Sequence, residues 1–195
     1  YYVPLDKSYE VWALTVTNQS KHIRNLTLTG YAEFTNHSNY EQDQVNLQYS
    51  LFISKTLFDK NRIIQQIHGN LDAIPTHEKI DEKNVTERFF GLVGAEVSSY
   101  CGDKEHFLGK YHGYQNPQGI SSGNLGNVTS YNENSCGALS CTIALAAGET
   151  KTILFLLGPN SSSEAEAIMK TYANPSENIK SEILEIKKSW MEKLK

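Results

Sequence analysis

The feature that most constrains this chain is a two-residue alternation of apolar and polar side chains near its start. In YEVWALTVTN, Trp12, Leu14 and Val16 fall on one face of an extended strand, and threonines fall on the other. The stretch LTLTGYAEF repeats the alternation, with Leu26, Leu28, Ala32 and Phe34 inward and Thr27, Thr29, Tyr31 and Glu33 outward. Such patterns predict half-buried β-strands. The polar NQSKH between the two stretches predicts a hairpin loop.

Later stretches carry the same kind of signal. VNLQYSLFIS (residues 45–54) and RFFGLVGAEVSSY (residues 88–100) predict further strands, and the glycines of the second suggest close packing or a bulge. ALSCTIALAAGETKTILFLLG predicts two strands joined by a turn at Ala147-Gly148. The apolar residues of these last two strands are expected to face each other.

The composition changes after Gly158, where the sequence becomes helical. Ser163 with Glu166 predicts a capping box, and Asn174-Pro175 followed by Glu177 predicts the start of a second helix. One apolar stripe runs along that helix, formed by Ile179, Ile183, Ile186, Trp190 and Leu194. Strands followed by segregated helices predict a mainly β fold, an antiparallel β-sandwich with a C-terminal helical segment.

Composition and charge disfavour two classes of partner. The 195-residue chain has a formal net charge of −4 and a sequence pI near 5.9, which is not the footprint of a nucleic-acid-binding protein. No run approaches the roughly 18 apolar residues that a membrane span needs. We therefore expect neither nucleic acid nor a membrane as a partner.

The number and spacing of the cysteines indicate the cellular compartment of the protein. Cys101, Cys136 and Cys141 form an odd, sparse set without CxxC spacing, which fits reduced cytoplasmic thiols, with a Cys136–Cys141 bridge as the alternative. Six N-x-S/T triplets have the pattern of N-glycosylation sites, which would argue against the cytoplasm, but a chain rich in Asn, Ser and Thr forms such triplets by chance. They begin at Asn18, Asn25, Asn36, Asn84, Asn127 and Asn160. The chain opens on Tyr1 without a visible signal peptide. We expect a fragment of a cytoplasmic protein.

A search for catalytic motifs finds no convincing active site. The sequence contains no GxSxG, HExxH, Walker or Rossmann motif. The best polar cluster offers His68, Asp72, His77 and Asp81 as metal ligands, but its spacing matches no dedicated site and favours a solvated loop. Glu33 is a candidate for acid–base chemistry, with a hydrogen-bonded strand carboxylate as the more common alternative. No metal site and no catalytic residue is therefore predicted.

One segment has little apolar periodicity: FLGKYHGYQNPQGISSGNLGN, residues 107–127, which we call the aromatic loop. Loops of this length are usually functional or disordered, and the aromatic content argues against disorder. Its Tyr111, Tyr114 and Asn116-Pro117 offer rigid contact area, and its glycines permit tight turns. Two interpretations stay open: a surface that faces other parts of a larger protein, a partner subunit or a glucan chain, and a loop packed on itself.

Several stretches in a fixed order resemble a known family. VPLDKSYEVWALTVTNQSKHIRNLTLTGYAEF, NYEQDQVNLQ, the aromatic loop and NSCGALSCTIALAAGETKTILFLLG resemble the N-terminal β-sandwich domain of the glycoside hydrolase family 94 phosphorylases. The resemblance covers most of residues 1–158, and the trailing helices look like the linker of that family. Among its members, NYEQDQVNLQYS and HGNLDAIPTHEKID look closest to cellodextrin phosphorylase.

The resemblance implies a non-catalytic domain of a larger enzyme. Residues 1–160 would form the β-sandwich, without the family's first strands, and residues 161–195 a helical linker toward an (α/α)₆ catalytic barrel. In that family inorganic phosphate attacks the anomeric carbon with inversion, an aspartic acid of the barrel protonates the leaving oxygen, and α-glucose 1-phosphate results. No residue of this chain matches that acid. We therefore expect the chain alone to be inactive, with no cofactor and with phosphate as the parent enzyme's co-substrate.

The resemblance also implies partners and contact residues. These phosphorylases are dimers in which the N-terminal domain of one subunit reaches the active-site mouth of the other. Residues 40–49 occupy the corresponding place, and Tyr49 stands where cellobiose phosphorylases tend to have Arg. The substrate-proximal candidates are Gln48, Tyr49, Tyr111, Tyr114 and Asn116. The expected partners are the catalytic barrel, a second subunit and a β-glucan oligosaccharide.

Two other classes of function compete with this one. A free-standing carbohydrate-binding β-sandwich module would use Tyr111, Tyr114 and Tyr131 as a stacking platform. A structural immunoglobulin-like module is disfavoured because the Cys–Trp–Cys spacing of such domains is absent. The amphipathic C-terminal helix favours the domain of a larger enzyme, because a self-contained module needs no linker that ends on Trp190.

Overall fold

The computed structural model describes residues 1–34, 54–68 and 85–195. The strands found there are β1 (Glu10–Thr17), β2 (Arg24–Glu33), β3 (Ser54–Asp59), β4 (Arg62–His68), β5 (Val85–Val93), β6 (Ser99–Asp103), β7 (Ser135–Leu145) and β8 (Thr150–Gly158). The helices are α1 (Lys104–Leu108), α2 (Gln118–Ser121), α3 (Ser162–Thr171) and α4 (Pro175–Lys193). The strand predicted at residues 45–54 lies outside the described residues except for Ser54, which begins β3.

The described strands form two antiparallel sheets. The large sheet has the order β1-β8-β5-β4-β3, and the small sheet has the order β2-β7-β6. Because β1 and β2 belong to different sheets, the NQSKH segment crosses between sheets, and the hairpin predicted there is wrong. The physical reason is Asn18, whose Nδ2 donates to the carbonyls of His22, Leu145 and Ala146 at 2.8–2.9 Å and so ties the crossing to the end of β7.

The main core lies between the inner faces of the two sheets. Phe90 is fully buried, stacks on Phe155 with ring centroids 5.5 Å apart, and meets the edge of Trp12 at 5.3 Å. The predicted inward residues of β2 pack into this core, as do those of β7 and β8: Leu26, Leu28, Ala32, Phe34, Leu139, Cys141, Ile143, Leu145, Ile153 and Phe155. Each large apolar side chain buried this way stabilises the fold by roughly 1.5–3 kcal/mol. The mainly β sandwich predicted from the sequence is confirmed.

The sandwich is uneven at its β1 edge. Leu14 shares the inner face of β1 with Trp12 and Val16, as the alternation predicts, but it remains 39% exposed. The small sheet has fewer described strands than the large one, so it covers this edge less completely. Residue alternation therefore predicts the face of a side chain correctly here, but not the depth of its burial.

A second apolar layer covers the other face of the large sheet. Val11, Ile64, Phe89, Leu154 and Leu156 face α3 and the residue that follows it, where Ala165 and Tyr172 are fully or almost fully buried. The close approach of α3 depends on Gly91, because a Cβ there would lie 2.7 Å from the Met169 sulfur. The large sheet is consequently buried on both faces over much of its area.

Two local predictions are corrected. The continuous strand predicted over residues 88–100 is two strands, because Gly94 adopts φ +95° and turns the chain between β5 and β6. The capping box is formed by Ser161 and Glu164 instead of Ser163 and Glu166: the Ser161 hydroxyl accepts from the Glu164 amide, and the Glu164 carboxylate accepts from the Ser161 amide. The cap lies two residues earlier because α3 begins at Ser162.

Helix α4 begins after Asn174, with Pro175 in its first turn, as predicted. Of its apolar stripe, Ile179 packs against the second apolar layer, whereas Trp190 is 58% and Leu194 80% exposed. The stripe is thus covered at its start and open at its end. No helix in the described ranges combines the length and apolar character required to cross a bilayer.

Candidate functional site

The aromatic loop packs on the outer face of the small sheet. Phe107 and Leu125 are almost fully buried there against Cys101, Cys136 and Ala138. The loop therefore has its own apolar anchors and is held at both ends. The buried Phe107 and Leu125 fit the interpretation of a loop packed on itself. These anchors also fix the position of the loop's outward side chains.

Helix α1 introduces the loop and sets the position of Lys104. The Asp103 carboxylate accepts a hydrogen bond from the His106 amide at 3.0 Å and so caps the helix. Gly109 ends the helix at φ +83°, a conformation that disfavours any residue with a Cβ. Lys104 is thereby placed beside Glu33, at the end of β2.

Three donors converge on one carboxylate at this place. Glu33 accepts hydrogen bonds from the Tyr31 hydroxyl at 2.9 Å, from the Lys104 ammonium at 3.0 Å and from the Tyr114 hydroxyl. The Lys104 Nζ also lies 5.5 Å from the centre of the Tyr114 ring. Tyr31 stacks on Phe107 with centroids 4.4 Å apart, which joins this group to the buried anchor of the loop. We call Tyr31, Glu33, Lys104 and Tyr114 the Glu33 cluster.

The electrostatics of the Glu33 cluster argue against acid–base catalysis by Glu33. Burial acts to raise the pKa of the carboxyl, but the hydrogen bonds from Tyr114, Lys104 and Tyr31 outweigh it and lower the pKa. Burial, with the hydrogen bond to Glu33, raises the pKa of Tyr31. A carboxylate held ionised by three donors is poorly suited to deliver a proton at neutral pH. The carboxylate instead joins the end of β2 to Lys104 and to the aromatic loop.

Tyr111 is the most exposed of the large hydrophobic residues described in the aromatic loop. Its side chain is 96% exposed, and its backbone φ is +66°, an uncommon conformation for a bulky residue. Lys110 Nζ lies 5.4 Å from the centre of its ring. The turn that contains Tyr111 is closed by the His112 amide, which donates to the Gly109 carbonyl at 3.1 Å. The next turn is closed by the Asn116 amide, which donates to Gly113 at 3.0 Å, and the Asn116 carbonyl contacts His112 Nδ1 at 2.9 Å. An exposed ring on a turn of this kind provides rigid contact area.

The structure brings together some of the candidates from the sequence. Tyr111 lies in the turn that the His112 amide closes on Gly109, Tyr114 and Asn116 lie in the next turn, which the Asn116 amide closes on Gly113, and all three are exposed. Gln48 and Tyr49 lie outside the described residues, as do Asp72, His77 and Asp81, and nothing is described of the His68 side chain. Within residues 1–34, 54–68 and 85–195, no group of three or more His, Cys, Asp or Glu side chains is placed to hold a metal ion.

The sequence analysis did not predict that Glu33 and Lys104 lie together. Glu33 and Lys104 are 71 residues apart, and their pairing depends on the path of the loop over the small sheet. The sequence did indicate one pair of the cluster, because the alternation places Tyr31 and Glu33 side by side on the outward face of a predicted strand.

The structure also describes the three cysteines, Cys101, Cys136 and Cys141, which are free and buried.

Comparison with known proteins places the chain in a family. The family described as "Glycosyl hydrolase 94, supersandwich domain" matches residues 1–175. An N,N'-diacetylchitobiose phosphorylase of Vibrio proteolyticus is 26% identical over 193 residues, which is 98% of this chain and 22% of that protein. The protein of the same name from Vibrio furnissii is 27% identical over 157 residues, 80% of this chain and 18% of that protein. The chain thus spans about a fifth of the length of these relatives, and it belongs to the glycosyl hydrolase 94 supersandwich domain family.

Proposed function

We propose that this chain is the non-catalytic N-terminal domain of an inverting β-glycoside phosphorylase. The observation that carries the proposal is the family match over residues 1–175. The Glu33 cluster agrees with it, because the carboxylate at the exposed loop is tied up by three donors and is unsuited to act as a general acid. The parent enzyme converts oligosaccharide and inorganic phosphate into a sugar 1-phosphate, without a cofactor.

In this proposal the domain shapes the substrate entrance and the dimer. The aromatic loop is anchored by Phe107 and Leu125 while Tyr111 and Tyr114 stay 96% and 61% exposed. Rigid, exposed aromatic rings beside a charged pair suit a contact with a catalytic barrel, a second subunit or a sugar ring. Gln48, Tyr49 and Asn116 complete the proposed substrate-proximal set.

The division of the chain follows from the same proposal. Residues 1–160 form the sandwich domain, and residues 161–195 form a linker that leads to an (α/α)₆ catalytic barrel of the parent protein. The exposed Trp190 and Leu194 at the end of α4 are then covered by that barrel. Buried free cysteines agree with a cytoplasmic enzyme.

Two substrate classes are supported by different observations. NYEQDQVNLQYS and HGNLDAIPTHEKID resemble cellodextrin phosphorylase, which favours cello-oligosaccharides and α-glucose 1-phosphate. The relatives that match most of the chain are N,N'-diacetylchitobiose phosphorylases, which favours a substrate with acetamido groups. Both are β-linked sugars cleaved by the same attack of phosphate.

The test is an assay of the parent protein with inorganic phosphate and each sugar in turn. We expect phosphate-dependent release of a sugar 1-phosphate from cellobiose, cellodextrins or N,N'-diacetylchitobiose, and no release when phosphate is omitted. The sugar with the highest kcat/KM identifies the substrate class. Hydrolysis of the same sugars at an equal rate without phosphate would contradict the proposal.

A free-standing carbohydrate-binding module remains the second candidate, because Tyr111, Tyr114 and Tyr131 are 96%, 61% and 72% exposed. Such a module would bind cello-oligosaccharides as an isolated chain, and Tyr131→Ala would weaken that binding. A domain of a phosphorylase would instead require the parent protein for measurable affinity. Isothermal titration of the 195-residue chain with cellopentaose separates the two functions.

A further inference from the structure

Tyr111 and Tyr114, the two tyrosines of the aromatic loop, are held in different ways. Tyr111 is almost fully exposed, and the contact described for its side chain is with Lys110, its neighbour in the same loop. Tyr114 contacts three side chains that lie outside the loop, one through its hydroxyl and two through its ring. Tyr114 is therefore the ring whose position is fixed relative to the sandwich.

The hydroxyl contact of Tyr114 is with Glu33, at the end of β2. The hydroxyl donates to Oε1 of Glu33, which also accepts from the Tyr31 hydroxyl at 2.9 Å. The other carboxylate oxygen, Oε2, accepts from Lys104 Nζ at 3.0 Å. Both oxygens of Glu33 are thus engaged, so the group that accepts from Tyr114 is itself fixed to the small sheet and to α1.

The two ring contacts restrict how Tyr114 can turn. Lys104 Nζ lies 5.5 Å from the centre of its ring, and the Tyr31 ring meets it at an interplanar angle of 63° with centroids 6.5 Å apart. Tyr31 is itself stacked on the buried Phe107. The hydroxyl bond therefore fixes one end of the Tyr114 ring, and its neighbours limit the orientation of the ring plane.

Glu33 is the member on which the other contacts of the cluster depend. The Glu33 side chain is 40% and the Lys104 side chain 25% exposed, and an isolated ion pair of this exposure contributes little because water screens it. Here three donors share one carboxylate, so each contact helps to hold the others. Removal of the Glu33 carboxylate removes three contacts at once, whereas removal of one donor removes one.

The hydrogen bond to Glu33 also determines what Tyr114 can offer to a ligand. A phenol has one proton to donate, and in Tyr114 that proton is directed to the carboxylate. The part that remains available is the ring, because the side chain as a whole is 61% exposed. An aromatic ring presents an apolar face, which suits the C–H face of a sugar ring.

We propose that Glu33 is a positioning residue of the substrate entrance, which holds Tyr114 so that its ring, and not its hydroxyl, contacts a sugar ring of the oligosaccharide. The inference rests on the function proposed above and adds the residue that orients the contact. In the competing arrangement the Tyr114 hydroxyl would bond directly to the sugar, and Glu33 would matter less than the hydroxyl. The two arrangements predict different results for substitutions of Glu33 and Tyr114.

The first test measures local order in the 195-residue chain by the ¹H–¹⁵N heteronuclear NOE. We expect Glu33→Ala to lower the NOE of residues 113–116, because the turn that contains Tyr114 loses its link to β2. The NOE of the buried Phe107 and Leu125 should stay at the value of the unmodified chain, which shows that the domain is folded. An unchanged NOE over residues 113–116 in the folded variant would overturn the proposal.

Two further variants control this measurement. Glu33→Gln keeps an acceptor oxygen without its charge, so we expect it to lower the NOE less than Glu33→Ala. Glu105→Ala removes a carboxylate from α1 that makes no side-chain hydrogen bond or ion pair within the described ranges, and it should change nothing. Equal effects of Glu33→Ala and Glu105→Ala would overturn the proposal.

The second test measures kcat and KM of the parent protein. We expect Glu33→Ala to raise KM for the oligosaccharide about three- to tenfold, the scale of one hydrogen bond, with kcat unchanged. Tyr114→Phe should raise KM to a similar extent, and the double variant should add little, because both changes break the same contact. Independent effects that multiply in the double variant, or a much larger effect of Tyr114→Phe, would overturn the proposal.

The two tests keep the failure of this inference apart from failure of the proposed function. A parent protein without phosphorolysis would contradict the proposed function and, with it, the sugar as the ligand of Tyr114. An active parent protein with an unchanged KM in folded Glu33→Ala would overturn the role of Glu33 and leave the proposed function standing.

Discussion

The hydroxyl of Tyr172 donates to the Glu182 carboxylate at 2.9 Å and thereby joins the end of α3 to α4. Tyr2 donates to the other oxygen of the same carboxylate at 2.6 Å, and the Tyr9 and Tyr172 hydroxyls lie 3.2 Å apart. The N-terminal segment, the sandwich and both long helices therefore meet at one carboxylate. Together with Ile179 in the second apolar layer, this contact holds the first half of α4 against the domain.

We predict that Glu182→Gln destabilises the chain by about 1 kcal/mol, because hydrogen bonds from the two tyrosines to a charged acceptor become bonds to a neutral one. The measurement is urea unfolding followed by circular dichroism. Glu185→Gln, on an exposed position of the same helix, is the control and should leave the midpoint unchanged. Equal midpoints for the two variants would show that Glu182 does not fix α4.

The same tyrosines predict how stability depends on alkaline pH. Burial, together with the contacts to Glu182, raises the pKa of Tyr2 and of Tyr172 above the ordinary value of 10.0. A raised pKa in the folded state means that the unfolded chain loses these protons first. Their contribution to stability is therefore complete below pH 10 and declines as the pH rises further.

A phenolate absorbance titration, run beside urea unfolding at each pH, checks this prediction. We expect part of the tyrosine absorbance change to appear only as the chain unfolds. Tyr172→Phe removes one of these groups, so its free energy of unfolding should fall less steeply above pH 10 than that of the unmodified chain. An identical slope would contradict the prediction.

Two glycines test the packing of the sandwich. A Cβ at Gly30 would lie 2.5 Å from the Phe155 ring, between the sheets, whereas a Cβ at Gly113 would meet nothing within 4 Å. We predict that Gly30→Ala destabilises the chain by about 1–3 kcal/mol, the usual scale of overpacking. Gly113→Ala should change the free energy of unfolding by less than about 0.5 kcal/mol. Similar effects of the two substitutions would contradict the described packing.

The alternation of apolar and polar residues predicted strands that are buried on one face, and it failed for strands that are buried on both faces. Alternation predicted β2 well, because its inner residues meet the core and its outer residues meet solvent or the loop. It missed β4, where the adjacent Ile63 and Ile64 are 0% and 2% exposed and lie in the two different apolar layers. A strand buried on both faces carries no two-residue period.

The site was predictable in part, for a related reason. The aromatic loop stands out in the sequence by its length, glycines and tyrosines, and Tyr111 is exposed as a contact residue needs to be. The pairings of Glu33 with Lys104 and of Arg62 with Glu166 were not predictable, because these partners lie 71 and 104 residues away in the sequence. Contacts of this kind depend on tertiary packing, which local patterns do not encode.

We predict that the double substitution Tyr111→Ala/Tyr114→Ala in the parent protein raises KM for the oligosaccharide or weakens dimerisation. The expected size is about 1–3 kcal/mol of binding free energy, because exposed aromatic anchors carry much of the energy of a contact. Ile23→Ala, at a position that is 70% exposed outside the loop, is the control. Unchanged KM and unchanged dimerisation in a folded double variant would show that the loop only packs on itself.

We propose that this domain provides a contact surface to the parent enzyme and no catalytic residue. The most direct measurement compares the folded 195-residue chain with the parent protein in one assay, with cellobiose, cellodextrins and N,N'-diacetylchitobiose as substrates, in the presence and absence of inorganic phosphate. We predict sugar 1-phosphate from the parent protein alone, and neither phosphorolysis nor hydrolysis by the chain, because we propose that the general acid required by this chemistry lies outside these 195 residues. Steady turnover of any of these sugars by the purified chain would contradict the account.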